Sequence, residues 1–295
     1  MPLNFEPIDL LKQTEYTTYF DQCPQKASDY SFANLWGWAP AYGLKWAWTD
    51  NFVWIKQTIP HELYWTPVGP WENIDWNISI YHNFYRHEHT SIIRVPEQLI
   101  KCWEKGLKEK FTVKEMRGAW EYLYSVAELV QLKGNRFHKK KNLLNQFKNK
   151  YAYRYLSFDS TLVDSALDMQ NDWCTWRDCE SSKMLSAENQ AISRILGSWE
   201  KFEQFMGGAI FVKDEMVAYT IGERLDKQTL VIHFEKGNPV FKGVYQAINQ
   251  MLLENAGQEY QIVNRQQDLD DAGLRKAKLS YHPVNYVKKF QVDIE

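Results

Sequence analysis

The sequence predicts an α/β (α+β) protein of two tandem lobes with mixed sheets. Three observations predict it. The chain has 295 residues, enough for two ordinary domains. From Thr161 onward the periodicities run helix, helix, three strands, helix, strand, helix, strand. The first half gives a weaker version of the same order, so the N-terminal lobe reads as a divergent copy. The boundaries expected are 1–134 for the first lobe, 135–150 for a basic connecting helix and 151–295 for the second lobe.

Each element has a local reason. Asp9 to Asp21 reads as a helix, followed by Ser31–Trp38 (SFANLWGW). Leu44–Thr49 and Phe52–Gln57 are aromatic strands around Asp50-Asn51, a dipeptide that tolerates the positive φ of a tight hairpin. Tyr64–Val68 is a strand ended by Gly69-Pro70. Helical stretches follow at Trp76–Arg86 and Pro96–Leu107, and Trp120–Leu132 reads as a strand. In the second half, Thr161–Trp176 and Glu188–Phe205 read as helices, and Gly208–Val212, Val217–Glu223 and Thr229–Glu235 as consecutive strands. Phe241–Leu253 places Phe241, Val244, Tyr245, Ile248, Met251 and Leu252 on one face at 3.6 periodicity. Tyr260–Asn264, Ala272–Lys278 and Tyr286–Val292 close the chain as strand, helix and strand. A β-meander feeding one strand-helix-strand unit is compatible with the GNAT acyltransferase fold.

Bulk composition narrows the function. Hydrophobic residues make up 44% and charged residues 24%, with a net charge of -2, so no global charge advertises a nucleic-acid or membrane partner. Such a partner must be read from local patches. The start of the chain lacks the basic, apolar pattern of a signal peptide, and no apolar run reaches the length of a membrane span. Membrane contact is expected to be peripheral at most. Cys23, Cys102, Cys174 and Cys179 fit no common zinc spacing, which predicts reduced thiols, no metal and a cytoplasmic setting. Ten of the 13 Trp residues lie at or before Trp120, as a Trp-rich core or as a stacking surface.

Three stretches carry candidate chemistry. Lys133 to Lys150 holds seven Lys or Arg and no acid. Asn135 is the expected N-cap. On a helical wheel Phe137, Leu143, Leu144 and Phe147 share one face with Lys140 in its middle. A lysine among apolar neighbours must reach out to water or find an anion. Lys133, Arg136, Lys139, Lys140 and Asn142 are therefore candidates for an anionic donor, against the plainer reading of a solvated basic face. The second stretch is Val231–Asn238 (VIHFEKGN). His233 and Glu235 alternate with Ile232 and Phe234, which places both on one face, and either can serve as a general base. The plainer reading is a satisfied polar pair at a sheet edge. The third stretch is Asn264–Pro283, where Asn264 and Arg265 end a strand. Asp268, Arg275 and Lys276 follow as an anion-binding wall or as a structural ion network, and Tyr281 is a candidate acid.

KGNRFHKKKNLLNQF, VIHFEKGN and VNRQQDLDDAGLRKAKLSYHP together resemble the DUF2156 family, which is related to the C-terminal domain of phosphatidylglycerol lysyltransferases. The resemblance covers nearly the whole chain. It implies two tandem GNAT-like lobes, as in the Fem peptidyltransferases, and transfer of an aminoacyl group from aminoacyl-tRNA to a lipid or other amine or hydroxyl acceptor. The family's NREQDLG stretch corresponds to Asn264–Asp270, with Gln266 in place of the acid and Asp270 in place of the glycine. The phosphate loop usual in GNAT enzymes, a QxxGxG-like pattern, is reduced here to Lys242-Gly243 with Pro239 nearby. The donor expected is thus a phosphate-bearing substrate, acyl-CoA or aminoacyl-tRNA. The alternatives are a binding or regulatory module on a degenerate acyltransferase scaffold, and an RNA-binding protein without transfer chemistry.

Overall fold

The computed structural model describes residues 3–84, 90–108 and 110–294. In chain order the elements are β1 (Glu6–Pro7), α1 (Gln13–Asp21), α2 (Phe32–Tyr42), β2 (Lys45–Trp48), β3 (Val53–Gln57), β4 (Leu63–Val68), α3 (Trp76–Phe84), β5 (Thr90–Pro96), α4 (Glu97–Gly106) and β6 (Phe111–Glu115). They continue with β7 (Glu121–Ser125), α5 (Val126–Gln131), α6 (His138–Lys150), β8 (Tyr153–Ser157), α7 (Val163–Arg177), α8 (Lys183–Leu196), β9 (Phe205–Val212), β10 (Glu215–Arg224) and β11 (Thr229–Gly237). Last come α9 (Val244–Asn255), β12 (Ile262–Asn264), α10 (Ala272–Leu279), β13 (Asn285–Val287) and β14 (Lys289–Ile294). The expected helix end at Tyr85-Arg86 lies outside the described residues.

Two seven-stranded mixed sheets result, ordered β1-β2-β3-β4-β5-β14-β6 and β13-β7-β12-β11-β10-β9-β8. Each contains a parallel pair, β4 with β5 and β11 with β12, with antiparallel pairs beside it. The chain divides accordingly into a first unit of Met1–Glu121, Gln267–Asp271 and Val287–Glu295 and a second of Tyr122–Gln266 and Ala272–Tyr286. This differs from boundaries at 134 and 150. β7 pairs with β12, so the second unit begins before the basic helix. The C-terminal segment, expected as one strand, is two strands in two sheets, and β14 lies between β5 and β6.

Local chemistry explains other departures. Trp120–Leu132 is not one strand: Ser125 Oγ accepts from the Glu128 N–H and starts α5 there. α8 begins at Lys183, capped by Ser182 Oγ, rather than at Glu188. α6 is entered through a 3-10 turn, Asn135–Phe137, without a side-chain cap. Cys174 and Cys179 are joined in a disulfide across the α7–α8 corner, correcting the expectation of four reduced thiols. No helix among the described residues is long and apolar enough to cross a membrane. Trp46, Trp54, Trp71 and Trp103 are fully buried, which makes the Trp-rich half chiefly a core.

In the second unit α9 lies against the sheet and buries Val244, Ala247, Ile248, Met251 and Leu252. Each of the larger ones, Val244, Ile248, Met251 and Leu252, contributes about 2 kcal/mol of burial free energy. α5 and α6 pack on α9, adding Leu129, Leu144 and Phe147 to the same core, with Phe137 from the turn before α6.

In the first unit β14 is held by charge as well as by its ladder. Lys289 is fully buried; its ammonium reaches Glu121 Oε1 at 2.9 Å and pairs with Asp29. Ser28 donates to Glu121 through both its backbone N–H, at 2.9 Å, and its hydroxyl, at 2.8 Å. Gln267 donates to Asp29 at 2.8 Å, and Arg94 pairs with the same carboxylate. Burial works against the charge of Asp29, but Arg94 and Lys289 outweigh it and hold the carboxyl below its ordinary value. A depressed carboxyl contributes stability above its unfolded value and loses it as pH falls through the folded one. Lys289→Met leaves two buried carboxylates short of an ammonium. We expect a loss of about 3–5 kcal/mol in denaturant unfolding at neutral pH; an unchanged midpoint would contradict this account.

Candidate functional site

Ligands of open α/β sheets gather beyond the carboxyl ends of parallel strands. In the second unit that position belongs to β11 and β12, which pair Val231 with Asn264. Glu235 lies near the end of β11, and Arg265 is the first residue after β12. The Arg265 guanidinium reaches Glu235 Oε1 at 2.9 Å, and Asn249 of α9 donates to the other carboxylate oxygen at 3.0 Å. Arg265 also lies over the Tyr281 ring, 4.7 Å from its centre. Gln246, one turn before Asn249, donates to the Tyr281 hydroxyl at 3.3 Å. The Lys140 ammonium lies over the same ring, 4.0 Å from its centre.

The backbone around this cluster is fixed. Lys278 donates to the Arg265 carbonyl, and the Tyr124 hydroxyl donates to the Lys278 carbonyl at 2.9 Å. α10 is thereby tied to β12 and β7, and Tyr281 follows immediately after α10.

The charges are unequal. Two cations, Lys140 and Arg265, stand at one tyrosine ring, and the single carboxylate of the cluster, Glu235, is held by Arg265. Burial opposes the Arg265 charge, yet Glu235 more than restores it and raises its proton affinity. Lys140 has no such partner: among the described residues its ammonium makes no ion pair or hydrogen bond. Burial, aided by the charge of Arg265, pushes it down to about 8. Tyr281 is pushed up by burial, so it keeps its proton. A half-buried cation, a second cation and a protonated phenol form a site suited to an anion or a developing oxyanion.

The structure therefore brings Lys140, Arg265, Tyr281 and Glu235 together. The other expected residues lie elsewhere. Lys133, Lys139 and Asn142 are exposed, as is Arg136, which pairs with Glu128. Asn264 is buried and accepts from the Gln266 N–H at 2.8 Å, shaping the turn after β12. Asp268 is buried in the first unit and reaches Arg117 at 3.3 Å. Lys276 is exposed on α10 and Arg275 half-buried. His233 and Glu235 do not share one setting. The β10–β11 register slips from Ile221–Phe234 to Gly222–Ile232, leaving His233 as the extra residue of a bulge. Its Nε2 meets Glu223 at 2.8 Å and its Nδ1 accepts from Gln266 at 3.0 Å. Gln266, standing where the family pattern has an acid, is thus the partner of a buried histidine. Asp270, standing where it has a glycine, adopts a φ of 61° and packs on Gly118, where any Cβ would lie 2.2 Å from its carboxylate. Sequence reasoning missed Gln246, Asn249 and Tyr124. Polar residues on an otherwise apolar helix face were the available signal for the first two.

Coenzyme A does not fit the loop that would hold its pyrophosphate. The Val240 N–H donates to the Asn238 side chain, Phe241 N–H to the Asn238 carbonyl and Val244 N–H to the Phe241 carbonyl. α6 covers the loop: a Cβ on Gly243, whose φ is 91°, would lie 2.1 Å from the Leu143 carbonyl oxygen. Three of the loop's amides are thereby spent within the loop, and Gly243 is closed over by α6.

These two mixed sheets define the class: a tandem GNAT-like fold, shared with the crystal structure of FemX at 7% identity over 99% of this chain and 97% of that one, with a TM-score of 0.55. A family model described as phosphatidylglycerol lysyltransferase, C-terminal, matches residues 20–292, and the chain belongs to that family. A crystal structure of a conserved protein of unknown function from Bacteroides thetaiotaomicron VPI-5482 is similar at 28% identity, over 99% of this chain and 100% of that one, with a TM-score of 0.91. The structure of L-PGS from Bacillus licheniformis shares the fold at 11% identity, over 97% of this chain and 92% of that one, with a TM-score of 0.66. An uncharacterized protein of Mycoplasmoides gallisepticum is 23% identical over 190 residues, 64% of this chain, and the match spans 61% of that protein's length.

The lowered Lys140 gives a pH signature. The unliganded fold carries the cost of a half-buried charge below about 8, and gains stability as pH rises from there towards the ordinary 10.5. Anion binding should run the other way. We expect sulfate affinity, measured by calorimetry, to fall as pH rises through about 8. Lys140→Arg, which stays charged, should remove that fall. Equal wild-type affinity on both sides of the transition would exclude Lys140 as the anion's partner.

Proposed function

We propose that this protein is a cytoplasmic acyltransferase that moves an aminoacyl group from aminoacyl-tRNA to an amine or hydroxyl acceptor, a lipid head group among them. The observation that carries the reading is Lys140, a half-buried ammonium without a carboxylate, facing the same tyrosine ring as Arg265. A site built around surplus positive charge suits a phosphate-bearing donor whose ester carbonyl gains negative charge during attack. The spent loop before α9 favours a donor other than acyl-CoA.

In this reading the acceptor's lone pair attacks the ester carbonyl carbon. A new C–N or C–O bond forms, the C–O bond to the ribose breaks, and the acceptor's proton ends on the departing hydroxyl. Lys140 and Arg265 stabilise the oxyanion. Tyr281, held by Gln246, relays the proton: it gives its own to the leaving oxygen and takes the acceptor's in return. Glu235 is a positioning residue: both of its oxygens are engaged in fixing Arg265 and Asn249. His233, with both nitrogens engaged, supports the strand rather than the chemistry. Much of the rate would come from holding donor and acceptor in line.

The test is a transfer assay with labelled aminoacyl-tRNA, phosphatidylglycerol vesicles and small amine acceptors. Wild type should release labelled product, Lys140→Met should be slower by about 10²-fold and Tyr281→Phe by at least about tenfold. A wild-type protein that transfers nothing from aminoacyl-tRNA or acyl-CoA would leave a binding module on this scaffold as the better reading.

A further inference from the structure

The α7–α8 corner is wired to both elements that steady the Lys140–Arg265–Tyr281 site. Cys174, in the last turn of α7, is joined to the buried Cys179. Between them Asp178 takes a left-handed conformation with a φ of 51°, which is costly for a residue with a side chain. Trp173, next to Cys174, reaches β11 and α9. Its indole N–H donates to the Tyr245 hydroxyl at 3.1 Å, and that hydroxyl donates to the Gly237 carbonyl at 2.9 Å. The Lys236 ammonium lies over the Trp173 ring, 3.7 Å from its centre, and pairs with Glu188 of α8 at 2.6 Å. One turn earlier, Gln170 meets the Cys174 sulfur at 3.9 Å and accepts from the Tyr219 hydroxyl of β10 at 2.6 Å. Lys236 follows Glu235 in β11, and Tyr245 precedes Gln246 in α9. The corner itself meets water: residues 175–178 and Glu180 are exposed, and Cys174 is half-buried.

We propose that Cys174 and Cys179 form a reversible redox latch, which tightens the anion site when oxidised and loosens it when reduced; the latch rests on the cytoplasmic setting inferred above. A thiol-rich compartment keeps few permanent disulfides, and those that form there are chiefly catalytic or redox-sensing. Glutathione, the thiol of that compartment, supplies the electrons. Its thiolate attacks the more accessible Cys174 sulfur, a mixed disulfide forms, and Cys179 leaves as a thiolate that takes up a proton. A second glutathione attacks the glutathione sulfur and displaces Cys174, which is protonated in turn. Both cysteines end as thiols and glutathione ends as its disulfide. Without the crosslink no covalent bond holds Asp178 in its left-handed turn, and the last turn of α7 opens more readily. Lys236 is then left with Glu188 alone, and Tyr245 loses its donor. The end of β11 and the first turn of α9, which carry Glu235 and Gln246, lose the support of Trp173. The two free cysteines, Cys23 and Cys102, belong to the other unit and take no part.

The test uses the full chain, equilibrated with glutathione buffers that span cytoplasmic ratios of thiol to disulfide. Thiols are trapped and counted by mass spectrometry, and amide hydrogen exchange is followed in the oxidised and reduced forms. The Cys174–Cys179 pair should open within that range. Reduction should speed exchange at least about tenfold in peptides covering Trp173–Cys179 and Glu235–Gln246. Sulfate affinity, measured by calorimetry, should fall by at least about fivefold. Cys174→Ser with Cys179→Ser should match the reduced form at every ratio. A pair that stays oxidised throughout would be a structural crosslink and would overturn the proposal. So would exchange over Glu235–Gln246 or a sulfate affinity that is equal in the two forms, or a redox response that survives in the double serine variant. The two readings fail separately. Transfer by the wild type at one rate in both redox forms sinks only the latch. A redox-dependent site with no transfer from any donor in either form sinks only the chemistry.

Discussion

Burying a lysine ammonium is costly unless carboxylates meet it, and the first lobe is organised around one that is met twice. Lys289 stands between Glu121 and Asp29 with none of its side chain exposed. Glu121 in turn fixes the backbone at Ser28, and Asp29 gathers Arg94 and Gln267. These residues come from five separated parts of the chain. A hydrophobic strand end would pack in several registers, but an ion cluster with each oxygen assigned admits one. We therefore see this network as the constraint that sets the register of β14 in its sheet and gives the first unit its segments 267–271 and 287–295.

Lys140 is the counterexample that marks a site. Its side chain is also partly withdrawn from water, but the one carboxylate of its cluster, Glu235, is engaged by Arg265 and Asn249. The two lysines differ in what surrounds them rather than in kind. One has its compensation built into the fold, and the other is left for a ligand to compensate. Glu235 matters to the second case by being occupied: it keeps Arg265 aimed at Tyr281 and leaves the charge of Lys140 over.

Much of this was legible in the sequence. Alternation and 3.6 periodicity exposed the β9–β11 meander, α9 and the β2–β3 hairpin, because one face of each is apolar. The wheel placed Lys140 on the inner side of α6, since Phe137, Leu144 and Phe147 surround it. What was hidden depends on distant partners. β6 and β8 are largely exposed edge strands without an apolar signature. The split of the C-terminal segment into β13 and β14 depends on which sheet supplies a free edge. The bulge at His233 broke the simple alternation that would have paired it with Glu235. The engagement of Glu235 follows from Asn249, a polar residue whose partner no local pattern reveals.

The return of β14 to the first sheet has a consequence for how the protein is made. Synthesis runs from the N-terminus, so α1, α2 and β1 to β5 leave the ribosome early. Their sheet must wait for the final strand, with β5 and β6 lacking the neighbour that will stand between them. The second lobe owes only Glu121 at its start and Val287 at its end to the other unit, so nearly all of its chain has emerged before β14 does. The half translated first is thus the half completed last. During that interval its open edges are a liability for mispairing, and the docking of β14 is the step that closes this sheet.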